Sequence, residues 1–337
     1  VLAMALVLMM VLSYMPSGVV AVGTPAEVKD ETIVLLEATL TATKAEVPEG
    51  EEPEGETPAT YTYAVAVSAK GEAVTNAVIT GMDNEDEAVV VAYKGMTVTL
   101  NKADAQTNGS VSGSVKVTYK TAHNLTKGQS YDENQYVPTV TAENAVAEGT
   151  WTFEKNTDIY DTYINNDVVC EVENNLTFGA YKYAIGEEVL AEIPLVHNIS
   201  EPEYTVTLTV PETREWYAEV QTVTIKAVAN VKLAEGYGNP PEVIAENADI
   251  SQWSSEDNQT FTATVNVAKT TEIQVGDQTL MVQIDTVTPE ISNVESYKSK
   301  DGTVVEFDVT VGDSGIAEVK INNETCDFTG GDDHVTV

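Results

Sequence analysis

The densest sets of possible metal ligands are three acidic runs, Asp83-Asn84-Glu85-Asp86-Glu87, Asp132-Glu133-Asn134 and Glu256-Asp257-Asn258. Calcium takes six to eight oxygens from carboxylates, side-chain amides and main-chain carbonyls. Asp83, Glu85, Asp86 and Glu87 are therefore the leading candidate ligands, and calcium is the one cofactor the sequence suggests. None of the runs has the Asp-x-Asp-x-Asp-Gly spacing of a helical calcium loop, so a solvated turn competes with the metal at each. A Ser-His-Asp arrangement needs a carboxylate behind an imidazole and a serine ahead of it. His123, His197 and His334 lie near no Gly-x-Ser-x-Gly elbow, and Gly330-Gly331-Asp332-Asp333 beside His334 reads as a hairpin turn. Acidic pairs for glycoside hydrolysis are so abundant that none stands out. No catalytic residue is assigned, and an enzyme is not expected. Fifteen tyrosines, with Trp151, Trp216 and Trp253, offer amphipathic rings suited to gripping sugars, although a sandwich Trp belongs first to the core.

Charge narrows the classes further. The 54 acidic residues against 17 basic ones leave a net charge of −37, and Arg214 is the single arginine. Binding to a phosphate backbone needs clustered Lys and Arg, as does a polybasic contact with anionic lipid; both are excluded. Cys170 and Cys326 are far apart in the sequence and read as small apolar core residues instead of a disulfide. Asn-X-Ser/Thr triplets at Asn108, Asn124, Asn175, Asn198, Asn258 and Asn323 matter only in a eukaryotic source.

The elements that would position these residues begin with an apolar, uncharged run, Val1 to Met15, followed by Pro16, Gly18 and small residues up to Gly23. This is the pattern of a secretory signal over residues 1–23, cleaved after Ala21 or Gly23. A spanning helix needs roughly 20 apolar residues, so the mature chain is expected to have no membrane span. The positive n-region is missing and the first residue is Val1, which suggests a truncated fragment. The expected destination is outside the cell, secreted or on its surface.

Beyond the signal, period-two alternation dominates. Tyr204, Val206, Leu208 and Val210 alternate with threonines, as do Phe261, Ala263, Val265 and Val267. Such runs place one apolar face on a core and a Thr-rich face in water. No segment keeps a 3.6-residue apolar period for three turns; Thr141–Glu148 and Ser251–Trp253 offer a turn or two of helix at most. The expectation is all-β, as tandem immunoglobulin-like β-sandwiches. The expected divisions are a sandwich over 24–155 with an acidic, Pro-rich loop at 46–58, a second over 156–287 with a split near Ser200 as an alternative, and the truncated start of a further module over 288–337. At Asp285-Thr-Val-Thr-Pro289, Pro289 prevents a continuing central strand. Val282 and Ile284 should close one core and Ile291 open the next.

An internal echo supports modularity. Thr222–Leu233 (TVTIKAVANVKL) and Thr303–Ile321 (TVVEFDVTVGDSGIAEVKI) each run strand, connection, strand. Together with Trp216, Trp253, the strand QTFTATVNV and the segment LMVQIDTVTPEI, this resembles the bacterial Ig-like repeats of Gram-positive surface proteins, mainly over 201–337. In that family an Asp-Thr-x-x-Pro segment ends one sandwich and opens the next. The resemblance implies secreted or cell-surface stalks and adhesins, sometimes glycan-binding, with no catalytic residues; Lys-Asn isopeptide cross-links occur in surface modules of this kind. Function is thus expected to be a structural or adhesive stalk of monomeric modules. A carbohydrate-binding region of a secreted glycan-active enzyme is the alternative. The partner would be a host or cell-wall glycan or a protein. The charge of −37 also makes self-repulsion a real destabilising contribution. Salt at 0.1 M screens such charges beyond about 10 Å, so the melting temperature at neutral pH is expected to rise with added NaCl; a flat profile up to about 0.5 M NaCl would remove repulsion from the account.

Overall fold

The computed structural model describes residues 23–45, 59–331 and 333–337, so residues 1–22 of the expected signal 1–23, the expected acidic loop 46–58 and Asp332 lie outside the described residues. Strand makes up 56% and helix 6%, in several sheets with no barrel among the described residues, which fixes the class as all-β and sandwich-like. Among the described residues no helix is long and apolar enough to cross a membrane. The chain divides into two compact units, the first ending at Glu201 and the second running from Pro202 to Val337.

In the first unit the long strand Asp30–Lys44 lies at the centre of an antiparallel sheet, flanked by Tyr61–Ala69 and Ser110–Lys120. Its alternation places Leu36, Ala38 and Leu40 fully inside and Glu37, Thr39 and Thr41 on the outer face. Pairing with Ser110–Lys120 slips between Val34 and Leu36. A bulge of this kind inserts an extra residue, which lets the adjacent Leu35 and Leu36 both reach the core. A second sheet runs in the order Ala145–Ala147, Met96–Asn101, Ala88–Tyr93, Val78–Thr80.

A third sheet runs in the order Thr150–Lys155, Leu176–Ile185, Glu188–Ser200, His123–Thr126. One apolar cluster joins all three sheets. Lys155, the expected end of a sandwich, does not divide that core: Trp151 pairs with Tyr183 and Phe153 with Tyr181. The division between the two compact units falls between Glu201 and Pro202.

Short-range signals explain where the sequence misplaced helix. Thr139–Glu143 and Ala145–Ala147 are strands of two different sheets. Asn144 between them has φ 48, a left-handed conformation that Asn tolerates and that turns the chain from one sheet to the next. The helix Lys102–Asn108 starts where the Asn101 side chain accepts from the Ala103 and Asp104 amides, and it ends at Gly109, φ 80. Thr157–Tyr163 is likewise capped by Asn156. Neither is long enough to show an apolar period.

In the second unit, Tyr204–Thr209, Gln221–Ala229 and Thr260–Val267 form a sheet. Val243–Ala245, Thr271–Val275 and Gln278–Val282 form another. Between them pack Val223, Ile225, Val265, Ile273, Val275 and Val282. Val282 and Ile284 are buried as expected. After Pro289, Glu290–Lys298 pairs with Thr303–Thr310, and a separate small cluster forms around Phe307, Val309, Val319 and Val335. Ile291 is 61% exposed and does not enter that core. Opposite this sheet stands only the short hairpin Val319–Ile321/Glu324–Cys326, so Ile291 and Val294 line an open groove of about 720 Å³.

Because the two units have separate cores, Leu36→Ala is expected to cost about 2–5 kcal/mol in the first unit and to leave the second unit's transition in place. Ile225→Ala should do the reverse. Scanning calorimetry of both variants checks this; a single transition shifted equally by either change would show one cooperative block.

Candidate functional site

The acidic loop Asp83–Glu87 lies between Val78–Thr80 and Ala88–Tyr93, and a buried lysine organises it. Lys102 is 3% exposed. Its ammonium donates to the Asp83 carbonyl, its amide donates to the Glu87 carbonyl at 3.0 Å, and its Nζ stands 4.9 Å over the Tyr63 ring. The carbonyl a calcium ion would draw on is thus taken by an ammonium. Asp83, Glu85, Asp86 and Glu87 all point into solvent. Among the described residues no three His, Cys, Asp or Glu side chains gather as metal ligands.

The other two acidic runs serve their own turns. Asp132 Oδ1 accepts from the Asn134 amide at 3.0 Å, and Glu133 accepts from Tyr160 Oη at 2.8 Å. Asp257 Oδ1 accepts from the Gln259 and Thr260 amides at 2.9 and 2.6 Å; the amide of Thr260 leads in holding that carboxyl down at about 2.

The histidines show a pattern that strand patterning alone had missed. His123-Asn124-Leu125-Thr126 and His197-Asn198-Ile199-Ser200 are the same motif twice, and they pair in parallel, residue for residue. The signal was there in the repeated His-Asn. The two imidazoles stand 5.6 Å apart between ring centroids, within a cage of Tyr131, Tyr136 and Phe178. His197 is fully buried; Nε2 meets Tyr131 Oη at 3.3 Å, and Nδ1 has no partner. Burial, followed by the neighbouring His123, pushes His197 down to about 3. Asn198 next to it donates to the Ala26 carbonyl and accepts from the Ala26 amide, both at 2.8 Å. It also accepts from the Asn175 amide at 3.1 Å. These residues fasten the start of the described chain to the body of the first unit. In the second unit, His334 Nδ1 meets Asp308 Oδ1 at 2.8 Å, both side chains being exposed. Cys170 and Cys326 fall in different units.

A carboxylate with contacts distant in the sequence is Asp285, in the Asp-Thr-x-x-Pro segment. Oδ1 accepts from the Val287 amide at 2.9 Å. Oδ2 accepts from the Ser314 amide at 2.9 Å and the Ser314 hydroxyl at 2.6 Å. Ser314 lies in the Gly312-Asp313-Ser314-Gly315 turn of the following module, and a Cβ on Gly312 would sit 2.0 Å from Asp285 Oδ1. The turn therefore needs glycine at 312 to admit the carboxylate. The Ser314 hydroxyl, then the Ser314 and Val287 amides, hold the pKa of Asp285 below the usual carboxylate range. A preceding Tyr217 secures the same segment: Asp285 donates its amide to the Tyr217 carbonyl at 2.9 Å. One carboxylate thus ties the segment after Ile284 to the turn 312–315. The sequence marked 285–289 as a junction but not the turn it engages.

No protein-family model matches the chain, and no curated protein matches it.

The buried imidazole sets an acid limit on the first unit. The folded state holds His197 at about 3 against about 6.5 unfolded, so the unfolded chain binds the extra proton. Stability is whole above about pH 6.5 and falls as pH drops from there toward 3. At pH 4.5 the loss from this residue alone is expected to be on the order of 2–3 kcal/mol. Comparing wild type with His197→Gln across that range checks it: the difference in unfolding free energy should shrink by about that amount on acidification, and a pH-independent difference would refute it.

Proposed function

We propose that this chain is a non-catalytic, extracellular structural or adhesive stalk region of a bacterial surface protein, built of Ig-like modules that hold a more distal part away from the cell. The observation that carries this reading is the Asp285 clasp. A loose linker would leave the segment after Ile284 without partners, whereas here the Asp285 side chain receives one local hydrogen bond from Val287 and two from Ser314 that span the junction. Pro289 adds stiffness by fixing its own φ and biasing Thr288 to extended backbone. Thr-rich outer faces and strong negative charge suit a solvated, self-repelling spacer.

The partner the distal part meets is a glycan or protein outside the cell. The test is Asp285→Asn, which keeps the shape and halves the acceptor capacity. At pH 7 the distance distribution between spin labels on the 221–282 and 303–336 modules should broaden. Proteolysis at 285–289 should accelerate several-fold, while the 204–284 core melts within about 0.5 kcal/mol of wild type, as surface changes do. Gly312→Ala should reproduce both effects by clash. An unchanged distribution in both variants would leave the clasp without a mechanical role and remove the support for a stalk.

A further inference from the structure

Two modules of the second unit lay out their first sheet in the same order. Tyr204–Thr209, Gln221–Ala229, Thr260–Val267 and Asp249–Ile250 lie side by side in one. Glu290–Lys298, Thr303–Thr310, His334–Thr336 and Thr329–Gly330 do so in the other. The strand that follows the second of these along the chain joins a separate sheet in both, Val243–Ala245 in one and Val319–Ile321 in the other. From there the modules differ. Val243–Ala245 pairs with Thr271–Val275, which pairs with Gln278–Val282. Ile273, Val275 and Val282 from these two strands fill the space against Val223, Ile225 and Val265.

The later module has the first sheet without that filling. Among the described residues Val319–Ile321 pairs with Glu324–Cys326 alone. The groove of about 720 Å³ is lined by Val319, Lys320 and Ile321 on this side and by Val305, Phe307 and Val309 on the sheet, but by no residue of Glu324–Cys326. It therefore opens along the unpaired edge of Val319–Ile321. Ile291 and Val294 at its rim are 61% and 62% exposed, and every position of Glu290–Lys298 is exposed. A contiguous apolar surface of this kind marks an interaction site, and an unpaired strand edge is a template for another strand.

We propose that this groove takes a β-strand from a partner protein, laid beside Val319–Ile321, with apolar residues at alternate positions toward the sheet and basic residues on its outer side. The earlier module shows the form of the occupant: in Thr271–Val275 the side chains of Ile273 and Val275 are buried and those of Glu272 and Gln274 exposed. Main-chain hydrogen bonds along the free edge supply affinity, and the alternate apolar positions set the register. Charge decides the outer side. Residues 288–337 carry eleven acidic side chains against three lysines, so outward Lys or Arg is attracted and outward Asp or Glu repelled. A second copy suits the groove poorly. It brings the same negative charge, and its own Thr271–Val275 and Gln278–Val282 are committed to a core. This inference goes beyond the stalk reading and does not rest on it, since the Asp285 experiment reads the junction and not the groove.

The test uses the full chain and, as labelled probe, a peptide of sequence Thr271–Val282 carrying Glu272→Lys and Gln274→Lys, followed by fluorescence anisotropy at neutral pH. Saturable binding is expected, several-fold tighter than that of the unsubstituted peptide at low salt, with the gap narrowing as NaCl is added. Adding Ile273→Ser to the probe should abolish binding. In the protein, Ile291→Ser with Val294→Ser should weaken it about tenfold or more while leaving the melting profile unchanged, because both side chains are exposed. Amide exchange at 319–321 should slow when the probe binds, which an apolar ligand resting on side chains alone would not cause. Absence of saturable binding, equal binding by the double variant, or unchanged exchange at 319–321 would each overturn the proposal. A concentration-dependent dimer that the double variant abolishes would also overturn it, by giving the groove to a second copy.

Discussion

A chain with 37 more negative than positive charges can fold only if its carboxylates stay off the inner faces of the sheets or meet N–H and O–H donors. Both solutions recur. Among the described residues the buried polar side chains are Lys102, Ser114, Thr126, His197, Asn198 and Thr271, with no Asp or Glu among them. The best-connected acids sit where amides converge, as at Asp257 and Asp285, and such hydrogen bonds favour the ionised form. Alternation along the strands does the rest, since a two-residue period sends the intervening polar residues outward once the apolar set faces in. The exposed ion pairs, such as Lys94–Glu188 and Lys120–Asp30, add little to this.

Cations in this setting become organising centres because they are scarce. Lys102 gathers an acidic loop by a carbonyl, not by a carboxylate, and so converts a candidate ion site into a piece of framework. Arg214 is drawn to Glu212 and held there by a loop whose geometry a buried tyrosine dictates. The histidine pair follows a different logic. It is uncharged, enclosed by aromatic rings, and acts as an apolar element with one unsatisfied nitrogen, which buried polar groups seldom leave.

The strands were legible because Val, Thr and Ile alternate over long runs; Gln221–Ala229 and Thr260–Val267 follow directly from the letters. Boundaries between units were less so. A strand such as Thr150–Lys155 has the same pattern whether it ends one module or joins the next, and only its partner, Leu176–Ile185, settles which. Pairing partners are non-local, and a single sequence carries no signal for them beyond echoes such as His-Asn-Leu-Thr and His-Asn-Ile-Ser. The short helices were hidden for another reason: their caps, Asn101 and Asn156, are also turn residues in any β protein. For the sites, residue type alone pointed first to Asp83–Glu87, where acids are dense and exposed, whereas Asp257 in another run and Asp285, alone in its segment, are the engaged carboxylates. The number of donors around an oxygen marks an engaged group, and that number is a property of the fold.

The hook at Asn198 has a consequence for the order in which the first unit assembles. It holds Ala26, 172 positions earlier, and the strand beside it closes the third sheet against His123–Thr126. A ribosome or a translocation pore delivers the chain from its amino end. Asp30–Lys44 and its neighbours therefore emerge long before the residue that fastens them, and the unit stays open, with its edge unsealed, until Asn198 is out. Closing a loop of that length costs entropy before any contact rewards it. Folding is thereby postponed until the whole unit is present, which keeps the chain threadable for as long as threading lasts.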